Sequence, residues 1–416
     1  MQTDDGKQSQ FINIFMRILL CNKFYYRRGG DCIVTMDLEQ LLKSHGHEVA
    51  IFAMDYPENN DSPWKKYWPS NMSKVKAFTR PFGDSEVKHK FSQLVEDFKP
   101  DVVHLHNIHT QLSPVIAEIA YKKGIRVFWT LHDTKLVCPC YTCMRDAKWC
   151  TECFTNKKSV IKHKCMPGGI IGATIGYLEQ KKWNKDLLEK YTTKFLPPSQ
   201  FMADTCIKGG YSREKFQVLC NFIDVDKVKN PCFDKTLKTN ILGNTIAYKE
   251  QYYCYLGRVT EVKGIRTLCE AANKLPYKLV VIGGGDLLDE LKEKYSNSDK
   301  IIFLGQKNWN EFRPVLEGAK FMVLPSEWSE NNPLTVIEAQ SLGTPVLGAR
   351  IGGIPELIEE NVSGMTFTSG DVEDLTSKIQ QMWDADFDYE AIAKDAVARY
   401  SSEAYYEKLM EIYKGK

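Results

Sequence analysis

Two glutamates with seven residues between them, Glu330 and Glu338, frame the stretch SENNPLTVIEAQ, which follows a strand-like run, FMVLP. Asn332 suits an N-cap, Pro333 the first helical position, and Gly343 with Pro345 closes the segment, so a helix is expected to begin here. Such a start aims free backbone N–H groups and the positive end of the helix dipole at whatever lies before it, which favours a phosphate. Glu330 stands just before the cap, and Glu338 lies about 9 Å along the axis from it at roughly 1.5 Å per residue. Carboxylates on both sides of a phosphate-seeking helix start suit the hydroxyls at the two ends of a sugar nucleotide. Taken alone, the pair is equally compatible with solvated surface acids. A second loop supplies countercharge: YLGRVTEVKGI ends a β-rich run at Gly257 and then presents Arg258 and Lys263 before a helical pattern. A bidentate guanidinium and a compact ammonium suit a diphosphate whose charge must be neutralised as it leaves.

Other candidate groups carry weaker signals. His104, His106 and His109 invite a metal, since the first two share one strand face, but no carboxylate stands at matching spacing. Two strand-end histidines and a loop histidine lining a cleft describe them better. Gly283 to Gly285 resembles a dinucleotide fingerprint without its full pattern and indicates only a helix starting close to a strand. Five cysteines fall between Cys138 and Cys153, with Cys165 close behind. Cys150 and Cys153 have the spacing of half a zinc knuckle, and Cys138 and Cys165 complete four thiolates; reduced thiols and disulfides are the alternatives.

The elements that must position these residues alternate. RILLCN, HEVAIFAM, DVVHLH, RVFWTLH, TKFLP and FQVLCN read as strands interleaved with helices such as 31–44 and 113–123. The pattern restarts with YYCYLG, KLVVIGGG, KIIFLG, KFMVLP and TPVLGA, again separated by helices, the last of them beginning at Pro355. Strand and helix alternating in this way give parallel, doubly wound sheets, here in two copies. The expected division is a loose extension over 1–15, a first domain over 16–222 with a cysteine-rich insertion at 134–170, a second over 223–399, and a terminal crossover helix over 400–416. Ligands of open parallel sheets sit beyond the carboxyl ends of the strands, so the loops that follow strands should hold the site, in a cleft between two facing domains.

Composition narrows the function. With 416 residues, 43% of them apolar, the chain can bury large cores. A formal charge of +2 argues against nucleic acid as a partner. The charge is uneven, however: nine lysines against three acids between Lys157 and Lys194 give that segment +6 and leave about −4 for the rest. No stretch has the run of about 18 apolar residues that a membrane span needs, and the N-terminus lacks a signal-peptide layout, so a cytoplasmic protein is expected. Thirteen cysteines, an odd number and mostly scattered, fit reduced thiols.

The ordered motifs GRVTEVKG, VIGGGD, FLG, the spaced glutamates in SENNPLTVIEAQSLGTPVLG and GGIPELI resemble the retaining glycosyltransferases of family 4, whose fold is GT-B: two Rossmann-like doubly wound domains facing a cleft. RRGGDCIVTMDLEQLLKSHGHEV, KPDVVHLHN and TLHD extend the resemblance across the first half. It implies transfer of a sugar from a UDP- or GDP-sugar to an acceptor hydroxyl with retained configuration, no metal being required for catalysis. By position, Arg258 and Lys263 match the residues that grip the donor diphosphate, Glu338 the one that holds ribose, and Glu330 the one that contacts the transferred sugar. Backbone groups of Asn332, Pro333, Leu334 and Thr335 would meet phosphate and sugar. Gly29 and Gly30 match a glycine loop that admits donor phosphates or acceptor without a Cβ clash, and His132 a histidine near the reacting centre. Many relatives carry Phe-Gly after the first glutamate, where this chain has Asn331-Asn332-Pro333.

The resemblance also implies a glycan or lipid-linked acceptor of capsule, exopolysaccharide or O-antigen synthesis. Some members that build surface polysaccharides carry cysteines matching Cys138, Cys150, Cys153 and Cys165, which implies a structural zinc there, with Cys140 and Cys143 as extras. The stretch GGIIGATIGYLEQKKWNKDLLEKYTTK, apolar and then lysine-rich, suits a peripheral contact with anionic lipid at the cytoplasmic face of the inner membrane, or a solvated face whose apolar side packs on the domain. A non-catalytic sugar-nucleotide or glycan-binding protein of this fold and a nucleotide-sugar epimerase are the alternatives. An intact set of Arg258, Lys263, Glu330 and Glu338 favours the transferase.

Overall fold

The computed structural model describes residues 15–71, 73, 76–146, 148–235 and 250–415. Most of the expected N-terminal extension, and residues 236–249 of the second expected domain, lie outside the described residues. The chain divides into two compact units, one running to Thr130 and including Asp186–Lys194, the other made of Leu131–Lys185 and Phe195–Lys416.

The first sheet is built from β1 (Arg17–Cys21), β2 (Glu48–Phe52), β3 (Val102–Leu105) and β4 (Arg126–Thr130), with the later strand β7 (Lys194–Leu196) at one edge; its order is β2-β1-β3-β4-β7. The pairings among β1 to β4 are parallel. Helices such as Gly30–Ser44 and Ser85–Phe98 connect the strands; Asp84 caps the latter by accepting from Val87 N at 3.0 Å. Two short strands, β5 (Met144–Arg145) and β6 (Lys148–Trp149), pair antiparallel within the cysteine-rich insertion.

The second sheet contains β8 (Tyr252–Leu256), β9 (Lys278–Ile282), β10 (Ile301–Gly305), β11 (Met322–Leu324), β12 (Val346–Ala349) and β13 (Gly364–Phe367), in the order β10-β9-β8-β11-β12-β13, with parallel pairings throughout. Apart from the edge strand β10, whose residues are mostly only partly buried, its strands are buried on both faces, as continuous apolar runs require. The central strand β8 buries three tyrosines, Tyr252, Tyr253 and Tyr255, and two of their hydroxyls find carbonyls: Tyr252 donates to Val315 O at 2.7 Å and Tyr255 to Arg258 O at 2.6 Å, whereas the buried Tyr253 hydroxyl has no hydrogen-bond partner among the described residues.

Two expectations change. FQVLCN forms no strand; only an isolated bridge joins Phe195 to Phe216. The helix expected from Pro355 is a single 3-10 turn, Ile354–Leu357, and the chain then enters β13, whose GMTF is too short to announce itself. The terminal helix Ser402–Lys414 packs through Tyr405 on Phe222, with ring centroids 4.4 Å apart, while Ile223 N donates to Tyr400 O at 2.8 Å.

Candidate active site

In the second sheet the order runs outward from β8 to β9 and β10 on one side and from β11 to β12 and β13 on the other. Connections therefore reverse direction between β8 and β11, and in open parallel sheets the carboxyl ends of the strands at such a point are where ligands bind. These are the loops that hold Arg258 and Lys263, and Glu330.

The loop after β8 is built on close backbone approach. Tyr255 fixes the Arg258 carbonyl, and Arg258 itself is exposed. Lys263 ends a single 3-10 turn, Glu261–Lys263, stopped by Gly264 at φ +67. A Cβ on Gly264 would collide with the Pro325 carbonyl oxygen, so glycine is required both for the turn and for the loop after β11 to lie against it. That contact places the Lys263 ammonium on a Glu330 carboxylate oxygen, which also accepts from Ser326 Oγ at 2.8 Å. Both charged side chains are largely shielded, 19% and 15% exposed, so their attraction is screened less than that of a surface pair. The two groups expected to grip diphosphate and sugar are thus a single ion pair here.

Glu330 and its neighbours are also held from other sides. Gly353 N donates to Glu330 O at 2.7 Å, and Gly352 and Gly353 sit so close to the Glu330 and Asn331 carbonyls that neither has room for a Cβ. Asn331 donates from Nδ2 to Leu131 O at 2.8 Å and accepts from Ser199 Oγ at 2.6 Å. Asn332 accepts from Asn221 N at 2.9 Å through its side chain and from Asn221 Nδ2 at 2.7 Å through its carbonyl. The expected cap is therefore displaced by one residue. The helix is Leu334–Ser341, Pro333 occupies the N-cap without a side-chain bond, and the oxygen expected to cap it serves Asn221 instead. Thr335 and Leu334 open this helix, and Glu338 is half-buried further along it. Glu356 accepts from Gln200 N and Phe201 N at 2.7 and 2.6 Å, placing a carboxylate at the start of the helix Gln200–Lys208.

His132 is half-buried and follows directly on Leu131, whose carbonyl Asn331 holds. Gly29 and Gly30 lie in the other unit, at the start of Gly30–Ser44. A Cβ at Gly30 would meet nothing, and at Gly29 only Asp31 Oδ1 at 3.5 Å, so the protein's own packing does not demand glycine at either position. His104 and His106 are buried with rings stacked at 4.7 Å, His104 bonds Thr130 Oγ1 at 2.8 Å, and His109 lies on Trp129; the first two are core groups and do not line an opening.

In the insertion, Cys138 lies 3.4 Å from Cys140, sulfur to sulfur, and the thiols of Cys140, Cys143 and Cys153 beside it hold its own well below the usual range. The thiol contact thus shares Cys138 and Cys153 with the expected zinc set but adds the two supposed extras, while Cys150 and Cys165 are half-buried nearby. All thirteen cysteines are free, and among the described residues no group of three or more His, Cys, Asp or Glu side chains stands ready to hold an ion. The following helix, Gly169–Lys182, buries Ala173, Gly176 and a Glu179 paired with Lys135 at 2.9 Å, and leaves Ile170, Ile171 and Leu178 exposed beside Lys181 and Lys182. Its packed side is formed by Ala173, Gly176 and Tyr177, and Ile170, Ile171 and Leu178 are not on it.

The sequence alone singles out Arg258, Lys263, Glu330 and Glu338 as candidates and gives no sign of the bonds made by Ser199, Ser326, Asn331 and Glu356. GGIPELI is the available signal, since two adjacent glycines mark a close backbone approach.

Comparison with known proteins bears on this geometry. The model of the group 1 glycosyl transferases matches residues 239–399, and that of Glycosyltransferase Family 4 matches residues 29–227. An uncharacterised protein of the cps region of Klebsiella pneumoniae is 23% identical over 87% of this chain and 92% of its own length. An Escherichia coli UDP-Gal:alpha-D-GlcNAc-diphosphoundecaprenol alpha-1,3-galactosyltransferase is 27% identical over 49% of this chain, which spans about half (54%) of that relative. The Anabaena protein HepE, solved in complex with UDP, superposes with a TM-score of 0.66 at 16% identity, covering 96% of this chain and all of that one.

Proposed function

Because this chain belongs to the glycosyltransferases of family 4 and has their GT-B fold, we propose that it transfers a sugar from a nucleoside diphosphate sugar to an acceptor hydroxyl with retention of configuration. The observation that carries this reading is the Lys263–Glu330–Ser326 cluster where the loops after β8 and β11 meet, with Arg258 on the first of these loops. Lys263 and Arg258 balance the charge that grows on the diphosphate as its bond to the sugar carbon breaks. Glu330 holds sugar hydroxyls, Glu338 the ribose, and the uncapped N–H groups from Leu334 onward meet phosphate. The acceptor oxygen bonds to the same face of that carbon while its proton passes to the departing phosphate oxygen, His132 lying beside the reacting centre. Nucleoside diphosphate and the glycosylated acceptor are the products. Cationic side chains and the helix start serve without a catalytic metal; a structural zinc on thiolates of the insertion, Cys138 and Cys153 among them, belongs to the same reading.

The names of the relatives support a UDP-sugar donor and a lipid-linked glycan acceptor in surface polysaccharide synthesis. No helix among the described residues is long and apolar enough to cross a membrane. Ile170, Ile171 and Leu178, with Lys181 and Lys182, suit a peripheral contact with anionic headgroups at the cytoplasmic face. The test is incubation with UDP- and GDP-sugars and a polyprenyl-diphosphate glycan, with and without anionic vesicles, and NMR of the new anomeric centre. Retained configuration is expected, and Lys263→Ala and Glu338→Ala should each lower turnover by about 10²-fold or more. An inverted product or full activity in both variants would refute the reading.

A further inference from the structure

Asn331 has both ends of its amide engaged, and neither engagement is local. Its Nδ2 faces Leu131 O, 200 residues away, and its Oδ1 accepts from Ser199 Oγ, 132 residues away. The orientation is unambiguous, because a carbonyl can only accept and so the NH₂ end must face Leu131. Ser199 is equally committed: its oxygen caps the helix Gln200–Lys208 by accepting from Met202 N at 3.2 Å, which leaves its one proton for Asn331. Ser199 is fully buried, and Gly353 closes over the pair, with no room for a Cβ between Asn331 O and Ser199 Cβ.

The bond joins two chemically important neighbours. Glu330 immediately precedes Asn331, and His132 immediately follows Leu131. One amide hydrogen bond therefore ties together the two backbone segments that carry the carboxylate and the imidazole, each one residue away from it. We propose that Asn331 is a positioning residue for glycosyl transfer, holding the Leu131 carbonyl so that His132 stays in register with Glu330. It touches neither donor nor acceptor through this amide, and its effect falls on turnover rather than on nucleotide affinity, which rests with Arg258, Lys263 and Glu338. The inference rests on the transferase reading above.

Asn331→Asp is the test, since it keeps shape and the Ser199 bond but sets a carboxylate oxygen against the Leu131 carbonyl. It should lower kcat by about 10- to 100-fold, as a misplacement of about 1 Å does, while leaving the Kd for UDP within about twofold. In a His132→Ala background the same substitution should cost less than about threefold, because a residue acting through His132 has nothing left to position. Full additivity in that double-mutant cycle, or an unchanged kcat, would overturn the inference. If Asn331→Asp does not fold, Asn331→Gln, which displaces the amide by one methylene, takes its place in the cycle. If the wild-type chain uses no donor, the functional reading fails by itself, and the positioning is then read from the His132 imidazole ¹H–¹⁵N resonances. Asn331→Asp must shift them, and unmoved resonances would refute it.

Discussion

Gly353→Ala isolates the steric part of how Glu330 is held. Gly353 has φ −89 and ψ 3, a conformation open to alanine, so the substitution adds no backbone strain. The new methyl would be driven into the Asn331 carbonyl oxygen, well inside contact, and would stand 2.9 Å from Ser199 Cβ. Neither neighbour is the end of a flexible side chain: one is backbone, and the other belongs to a residue fixed by its cap. The loop must therefore move as a piece by about 1 Å, because close-packed interiors have no slack to absorb the volume. Overpacking of this kind costs about 1–3 kcal/mol, and losing the Gly353 N–H bond to Glu330 O adds about 1 kcal/mol, for a total of about 2–4 kcal/mol. The same displacement of Glu330 should lower turnover by about 10²-fold. Gly284→Ala is the control, since its Cβ would meet only the Gln306 side chain, at 3.6 Å. Urea unfolding measures the first quantity and sugar transfer the second. If Gly353→Ala matched Gly284→Ala within about 0.5 kcal/mol and turned over at the wild-type rate, the steric reasoning would be wrong.

Two further outcomes follow from charges and thiols away from that loop. Burial pushes the Lys235 ammonium from 10.5 down to about 8, where it donates to Glu317 O at 2.9 Å and Thr344 Oγ1 at 3.2 Å. Because the unfolded chain holds this proton more tightly, stability should rise as pH climbs from about 8 to 10.5, by up to about 3 kcal/mol. Lys235→Met should flatten the rise in urea midpoints relative to wild type, and an identical pH slope in both proteins would remove lysine as its source. For the insertion, metal analysis of protein purified without added zinc should find about one zinc per chain, lost in Cys138→Ser and Cys153→Ser; zinc-free protein with full activity would eliminate the structural metal.

The sequence reveals what is local. Apolar runs alternating with helical periods read directly as two doubly wound halves, because strand and helix periods repeat within a few residues. Arg258 with Lys263, and Glu330 with Glu338, are visible because each pair lies on one loop or one loop and its helix. Runs of three or four residues are less legible: GMTF became a strand only because β12 offers it a parallel edge, and FQVLCN, with a comparable apolar content, did not. Asn332 looked like a cap because Asn before Pro favours one, yet Asn221 competed successfully for its oxygen.

What the tertiary structure alone decided is the pairing of distant residues. The order β10-β9-β8-β11-β12-β13 brings the loops after β8 and β11 together, and only then does Lys263 reach Glu330, 67 residues on. The Asn331 bonds to Leu131 and Ser199 likewise leave no periodic trace, since a hydrogen bond needs only a donor and an acceptor at the right distance, and nearly every residue supplies both. Spacing along the chain determined which groups are available for chemistry; strand order and close glycine contacts determined which of them meet.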